Sequence, residues 1–160
     1  MNDRQLLASP NWYNSAISDI SLDGIFAFGG KNTVFLLDLT GPGACQYFGQ
    51  LCGHKDRVTS VQFCKISAYS RCCVSASDDL CVIIWDIDAK EPVSKHNRHQ
   101  VQIAAVFWSQ ASYDWIYSGD DKGNLLSWNH QLNEVYEHSP LTGQINCISC
   151  PCDEEDVVVV

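Results

Sequence analysis

Hydrophobic positions along this chain fall into short runs separated by polar, turn-forming clusters. Val58–Phe63, Cys72–Ala76 and Val82–Ile87 are each five or six residues long and rich in Val, Ile and aromatic side chains, which predicts β-strands rather than helices. Pro92–Lys95 predicts a shorter strand at a sheet edge, where proline removes no central ladder bond. Asp78-Asp79 and Asp120-Asp121-Lys122-Gly123 have the chemistry of tight turns between strands.

The pattern repeats. SASDDLCVIIWD (Ser75 to Asp86) is echoed by SGDDKGNLLSWN (Ser118 to Asn129), so Ser75 and Ser118, like Trp85 and Trp128, are 43 residues apart. His54 in CGHKDRVTSVQF is matched 45 residues on by His99 in NRHQVQIAAVFW. A weaker earlier copy reads KNTVFLLDL, and a later one opens at GQINCISC. A period of about 40 to 45 is that of a four-stranded propeller blade. The expected fold is all-β, a partial propeller of about three and a half four-stranded blades. A leader at 1–14 carries an aromatic pair, and blades follow at about 15–50, 51–96, 97–140 and 141–160. Because the last apolar run, DVVVV, reads as the middle of a second strand, the chain is expected to be the front of a larger ring.

The recurring polar residues predict a buried network. At this spacing the histidine before a blade reaches the serine of its second strand and the tryptophan of its third, with an aspartate orienting the imidazole. In the second blade the set is His54, Ser75, Asp79 and Trp85. In the third, His99, Ser118 and Trp128 fit, but Lys122 stands at the aspartate position, so either Asp121 substitutes or the network is incomplete.

Other chemistry is weakly signalled. FGGKNT (Phe28 to Thr33) lacks the upstream glycine and the Ser/Thr after lysine that a phosphate loop needs, and reads as a turn. Cys147, Cys150 and Cys152 have no second pair of ligands, so no metal site is expected. The run Lys95 to His99 reads as a solvated loop with His99 turned inward. No catalytic residues and no cofactor are expected.

The net charge of −9 argues against loose, charge-driven nucleic-acid binding, though not against a local stacking site. No apolar run is long enough to cross a membrane as a helix. Nine cysteines within apolar runs read as reduced buried thiols of the cytosol or nucleus.

The Gly-His, Ser and Trp-Asp elements mark a WD-repeat β-propeller. The ordered series SPNWY, GHKDRV, SDDLCVIIWD and SGDDKG resembles the Gem-associated family of small-nuclear-RNA-binding WD-repeat subunits of the survival-of-motor-neuron (SMN) complex. The likeness runs along nearly all 160 residues, and SPNWY before the first blade is its discriminating part. It implies two seven-bladed propellers in tandem. It also implies recognition of the single-stranded Sm site and 7-methylguanosine cap of small nuclear RNA for spliceosomal snRNP assembly. The implied partners are other SMN-complex subunits and the ribosome, in cytoplasm and nucleus, with no membrane. The implied RNA-stacking residues are Trp12 and Tyr13. The competing reading is a protein-interaction scaffold in which that pair packs under the first blade.

Overall fold

The computed structural model describes residues 10–11, 16–41 and 45–149, and the backbone of 158–159. Trp12 and Tyr13 lie outside the described residues. Three antiparallel four-stranded sheets follow one another. The first is β1 (Ser18–Ile20), β2 (Ile25–Gly30), β3 (Thr33–Asp38) and β4 (Gln46–Cys52). The second is β5 (Val58–Phe63), β6 (Cys72–Ser77), β7 (Val82–Asp86) and β8 (Glu91–His96). The third is β9 (Ile103–Trp108), β10 (Trp115–Asp120), β11 (Leu125–Asn129) and β12 (Glu134–Glu137). Two further short strands, β13 (Ile148–Ser149) and β14 (Val158–Val159), pair antiparallel. Within each four-stranded sheet spatial order equals chain order, the meander of a propeller blade. The phosphate-loop look-alike is the turn between β2 and β3, with Lys31 in the left-handed region at φ 56°.

Why the strands read as near-continuous apolar runs is plain from β7. Ile83 and Trp85 pack into the core shared with the first sheet, while Val82 and Ile84 pack into the core shared with the third. Successive side chains point to opposite faces, and both faces are covered. A third core joins Ala105 and Phe107 of β9 to Ile145 and Ile148.

Backbone and side-chain bonds staple the innermost strands together. Asp19 on β1 accepts from the Phe63 N–H at 2.8 Å and from Lys65 Nζ at 2.9 Å. Ser60 Oγ on β5 accepts from the Val106 N–H at 3.2 Å, and Gln62 Oε1 accepts from the Trp108 N–H. All seven described cysteines are free thiols. Cys64 and Cys73 are buried, as the apolar context predicts, but Cys45, Cys52 and Cys147 are exposed because they sit at or beyond strand ends.

Gly123 ties the β10–β11 turn to the loop after β12. Its φ is 84°, and an added Cβ would stand 2.3 Å from the Leu141 carbonyl oxygen and 2.6 Å from that of Gly143. Gly123→Ala therefore meets backbone, not a side chain that can move. It should cost at least about 2 kcal/mol, a fall in melting temperature of at least about 4 °C by thermal unfolding. An unchanged melting curve would overturn this account of the loop.

Candidate functional site

Beneath the rim of the second sheet the expected network is assembled. Trp85 Nε1–H donates to Ser75 Oγ at 2.8 Å, and Ser75 Oγ lies 2.8 Å from His54 Nε2. His54 Nδ1 lies 3.1 Å from Asp79 Oδ2. A carboxylate can only accept, so Nδ1 carries the proton and Nε2 accepts from the serine hydroxyl. Asp79 also accepts from the Lys55 N–H at 2.7 Å and the Cys81 N–H at 3.0 Å. Burial alone would raise its carboxyl pKa, but these hydrogen bonds and the facing His54 outweigh burial and hold it below the ordinary value. His54 is lowered by burial in spite of the facing carboxylate, so it is neutral at pH 7.

The third sheet departs from expectation in two ways. The partner of His99 is Asp120, not Asp121: Nδ1 lies 3.1 Å from Asp120 Oδ2, and Nε2 2.7 Å from Ser118 Oγ. Asp120 stands two residues after Ser118 on β10, so both side chains leave the same face of the strand and meet the same imidazole. Asp121 instead accepts from Gln144 Nε2 at 3.0 Å. Trp128 is the second departure. It is fully buried, yet its Nε1 has no hydrogen-bond partner among the described residues. The Trp85 ring lies close against Gly53, just before His54: a Cβ there would stand 2.8 Å from it. Arg98, not a glycine, holds the equivalent place before His99. Trp128 packs edge-on against His96, with ring centroids 4.8 Å apart.

Above this layer lies a residue the sequence reading passed over. Asn11 clamps the leader to the junction of the first two sheets. Its N–H donates to the Gly29 carbonyl at 3.0 Å, and its Nδ2 donates to the carbonyls of Lys31 and Val58, each at 2.9 Å. Its Oδ1 accepts from the Lys31 N–H at 2.9 Å. The only sequence signal was its place directly after Pro10. Downstream of the undescribed residues 12–15, the Ala16 carbonyl accepts from the Val61 N–H at 2.9 Å. An open cleft of about 330 Å³ adjoins Asn11, lined also by Lys31, Asn32, Lys55, Asp56 and Arg57. Arg57 Nε donates to Asp78 Oδ2 at 2.7 Å, whereas Lys31 and Lys55 are in no ion pair among the described residues. Sequence reading missed these cations because they are scattered over two turns and meet only in the fold.

Two measurements test the buried layer. Trp85→Phe removes a donor that Ser75 uses, whereas Trp128→Phe removes one without a partner. The first should cost about 1 kcal/mol more than the second in denaturant unfolding, and equal costs would contradict the contrast. Acid should also destabilise the fold. His54 and His99 are lowered by burial, and His96 is lowered by burial and by the nearby charges of His99 and Arg98 to about 3. Asp79 and Ser75 face His54, Asp120, Ser118 and Glu137 face His99, and Trp128 packs on His96. The unfolded chain binds these protons first, so the stability is fully present above about pH 6.5 and is lost as pH falls below it. Melting temperature should be level above about pH 7 and decline below about pH 6.5; a level profile down to about pH 5 would sink this.

No family model matches the chain. Among solved structures, a chain of the mitotic checkpoint complex superposes with a TM-score of 0.69 over 85% of this chain and 42% of its own length, at 16% identity, which shows the WD-repeat propeller fold alone. Among curated proteins, Gem-associated protein 5 of Mus musculus and that of Homo sapiens are each 34% identical over 98% of this chain. Component of gems protein 5 of Dictyostelium discoideum is 22% identical over 97% of it. The chain spans 11% of the length of the mouse and human relatives. At that identity over almost its whole length, and with the partial WD-repeat propeller in place, the chain belongs to the Gem-associated protein 5 family.

Proposed function

We propose that this chain binds single-stranded small nuclear RNA, at its Sm site and with its cap, as part of a gem-associated SMN-complex assembly found in cytoplasm and nucleus. Besides family membership, the observation that carries the reading is the Asn11 clamp. Four hydrogen bonds fix the residue just before Trp12 at a rim that carries Lys31, Lys55 and Arg57. A pinned approach lowers the ordering cost of a base stacking on an aromatic pair. Lysines without an ion pair among the described residues, beside the Asn11 clamp, suit the phosphate backbone. A chain with a net charge of −9 thus has a local place for a polyanion.

Tyr13→Ala, and to a lesser degree Trp12→Ala, should weaken binding of a uridine-rich Sm-site oligonucleotide about 5- to 150-fold at fixed salt, with no fall in melting temperature. Anisotropy titrations beside melting curves of both variants are the check. Unchanged affinity in both variants, or affinity lost only together with the fold, would return the pair to a packing role, and no binding of the oligonucleotide by the unaltered protein would leave the scaffold reading.

A further inference from the structure

We propose that the rim of the third sheet holds a pocket for one unpaired guanine base of a single-stranded nucleic acid. A cavity of about 200 Å³ opens there, between the loop before β9, the β10–β11 turn and the loop after β12. These are the same kinds of loop that carry Lys31, Lys55 and Arg57 in the neighbouring sheets, so the cavity is on the face where the leader is clamped.

Its floor is closed. Leu126 is buried, and the carboxylate of Asp120 is fully engaged by the His99 ring, the Asn124 amide and the backbone N–H groups of Lys122 and Asn124. Its rim is not. Neither the Arg98 guanidinium nor the Glu137 carboxylate has a hydrogen bond or ion pair among the described residues, and both line the cavity. The Asn124 side-chain oxygen remains as a further acceptor beside them. The His138 imidazole, steadied by Ser127 Oγ at 2.9 Å from its Nε2, and the Pro140 ring supply planar and apolar walls.

A fork of donors and a two-oxygen acceptor at one small cavity specify a ligand with two adjacent acceptors and two adjacent donors. Guanine has both: O6 and N7 suit a guanidinium, and N1–H with the N2 amine suits a carboxylate. Adenine and cytosine present a single amine, and uracil a single N–H. Flanking phosphates would meet the same Arg98-bearing rim. The volume suits one base, not a larger ligand, and unstacked bases are what proteins read in single-stranded RNA.

The proposal rests on the RNA reading above, but its test is separable. Chemical-shift titrations of the full chain with the four nucleoside 5′-monophosphates should show guanosine monophosphate binding about 5- to 100-fold more tightly than the other three. Glu137→Gln, an isosteric change at an exposed edge-strand position, and Arg98→Gln should each erase that preference without lowering the melting temperature. Tyr13→Ala should leave it intact. Equal binding of all four nucleotides, no shift at Asn124 or His138, or a preference that survives Glu137→Gln would overturn the pocket. So would loss of a protein partner in these variants without any nucleotide preference. If Tyr13→Ala abolishes Sm-site binding while no guanine preference exists, the RNA reading stands without this pocket. The reverse pattern removes the RNA reading and keeps the pocket.

Discussion

A sheet that is apolar on both faces cannot stand by itself in water, and the rest of this structure depends on that constraint. In β7 every residue from Val82 to Trp85 is buried, two toward each neighbour. The second and third sheets therefore each contribute to two cores. The innermost strands come close enough for Asp19, Ser60 and Gln62 to bond the backbone of the next sheet. The same packing brings a histidine from the entry loop of a blade over its second strand. Buried there, an imidazole needs partners at both nitrogens. Serine and aspartate supply them in both complete copies.

The two copies of that network show how far a repeat tolerates variation. Trp85 lies against Gly53 and donates to Ser75, whereas Trp128 does not reach Ser118. An unpaired buried N–H carries a desolvation cost, yet the sheet keeps its shape because Trp128 still fills the core between the second and third sheets. The histidine–serine–aspartate part sets the loop geometry in both sheets. Arg98, in the entry loop of the third sheet, is exposed and borders the third-sheet cavity.

Much of this was legible in the sequence. The strands of the second sheet were readable to within about a residue because two-sided burial leaves apolar runs of fixed length between turn residues. The 43-residue spacing gave the repeat, and the repeat gave His54, Ser75, Asp79 and Trp85. What was not legible depended on geometry that spacing does not encode. The choice of Asp120 over Asp121 depends on β10 running on through Asp120, which puts that carboxylate on the strand face of Ser118. The isolated Nε1 of Trp128 depends on where the ring sits in the packed sheet, against His96, which the 43-residue spacing does not reveal. The Asn11 clamp joins residues 20 and 47 positions apart and leaves no local periodicity.

The acidity of the chain and the basic character of its rim are compatible because of how the carboxylates are used. Asp79 and Asp120 each gather several N–H donors, and Asp19, Asp78 and Asp88 are paired with Lys65, Arg57 and Arg71. Asp38 and Asp86 accept from the backbone at the opposite end of the strands, in the turns after β3 and β7. Exposed charges separated by more than about 8 to 10 Å are largely screened at physiological salt. An approaching polyanion therefore responds to the lysines next to the Asn11 clamp more than to the net charge of −9. Net charge governs solubility and loose association. A clamped leader, two lysines without ion pairs among the described residues and a small pocket with matched donors and acceptors act at contact distance, where their local arrangement outweighs the overall balance.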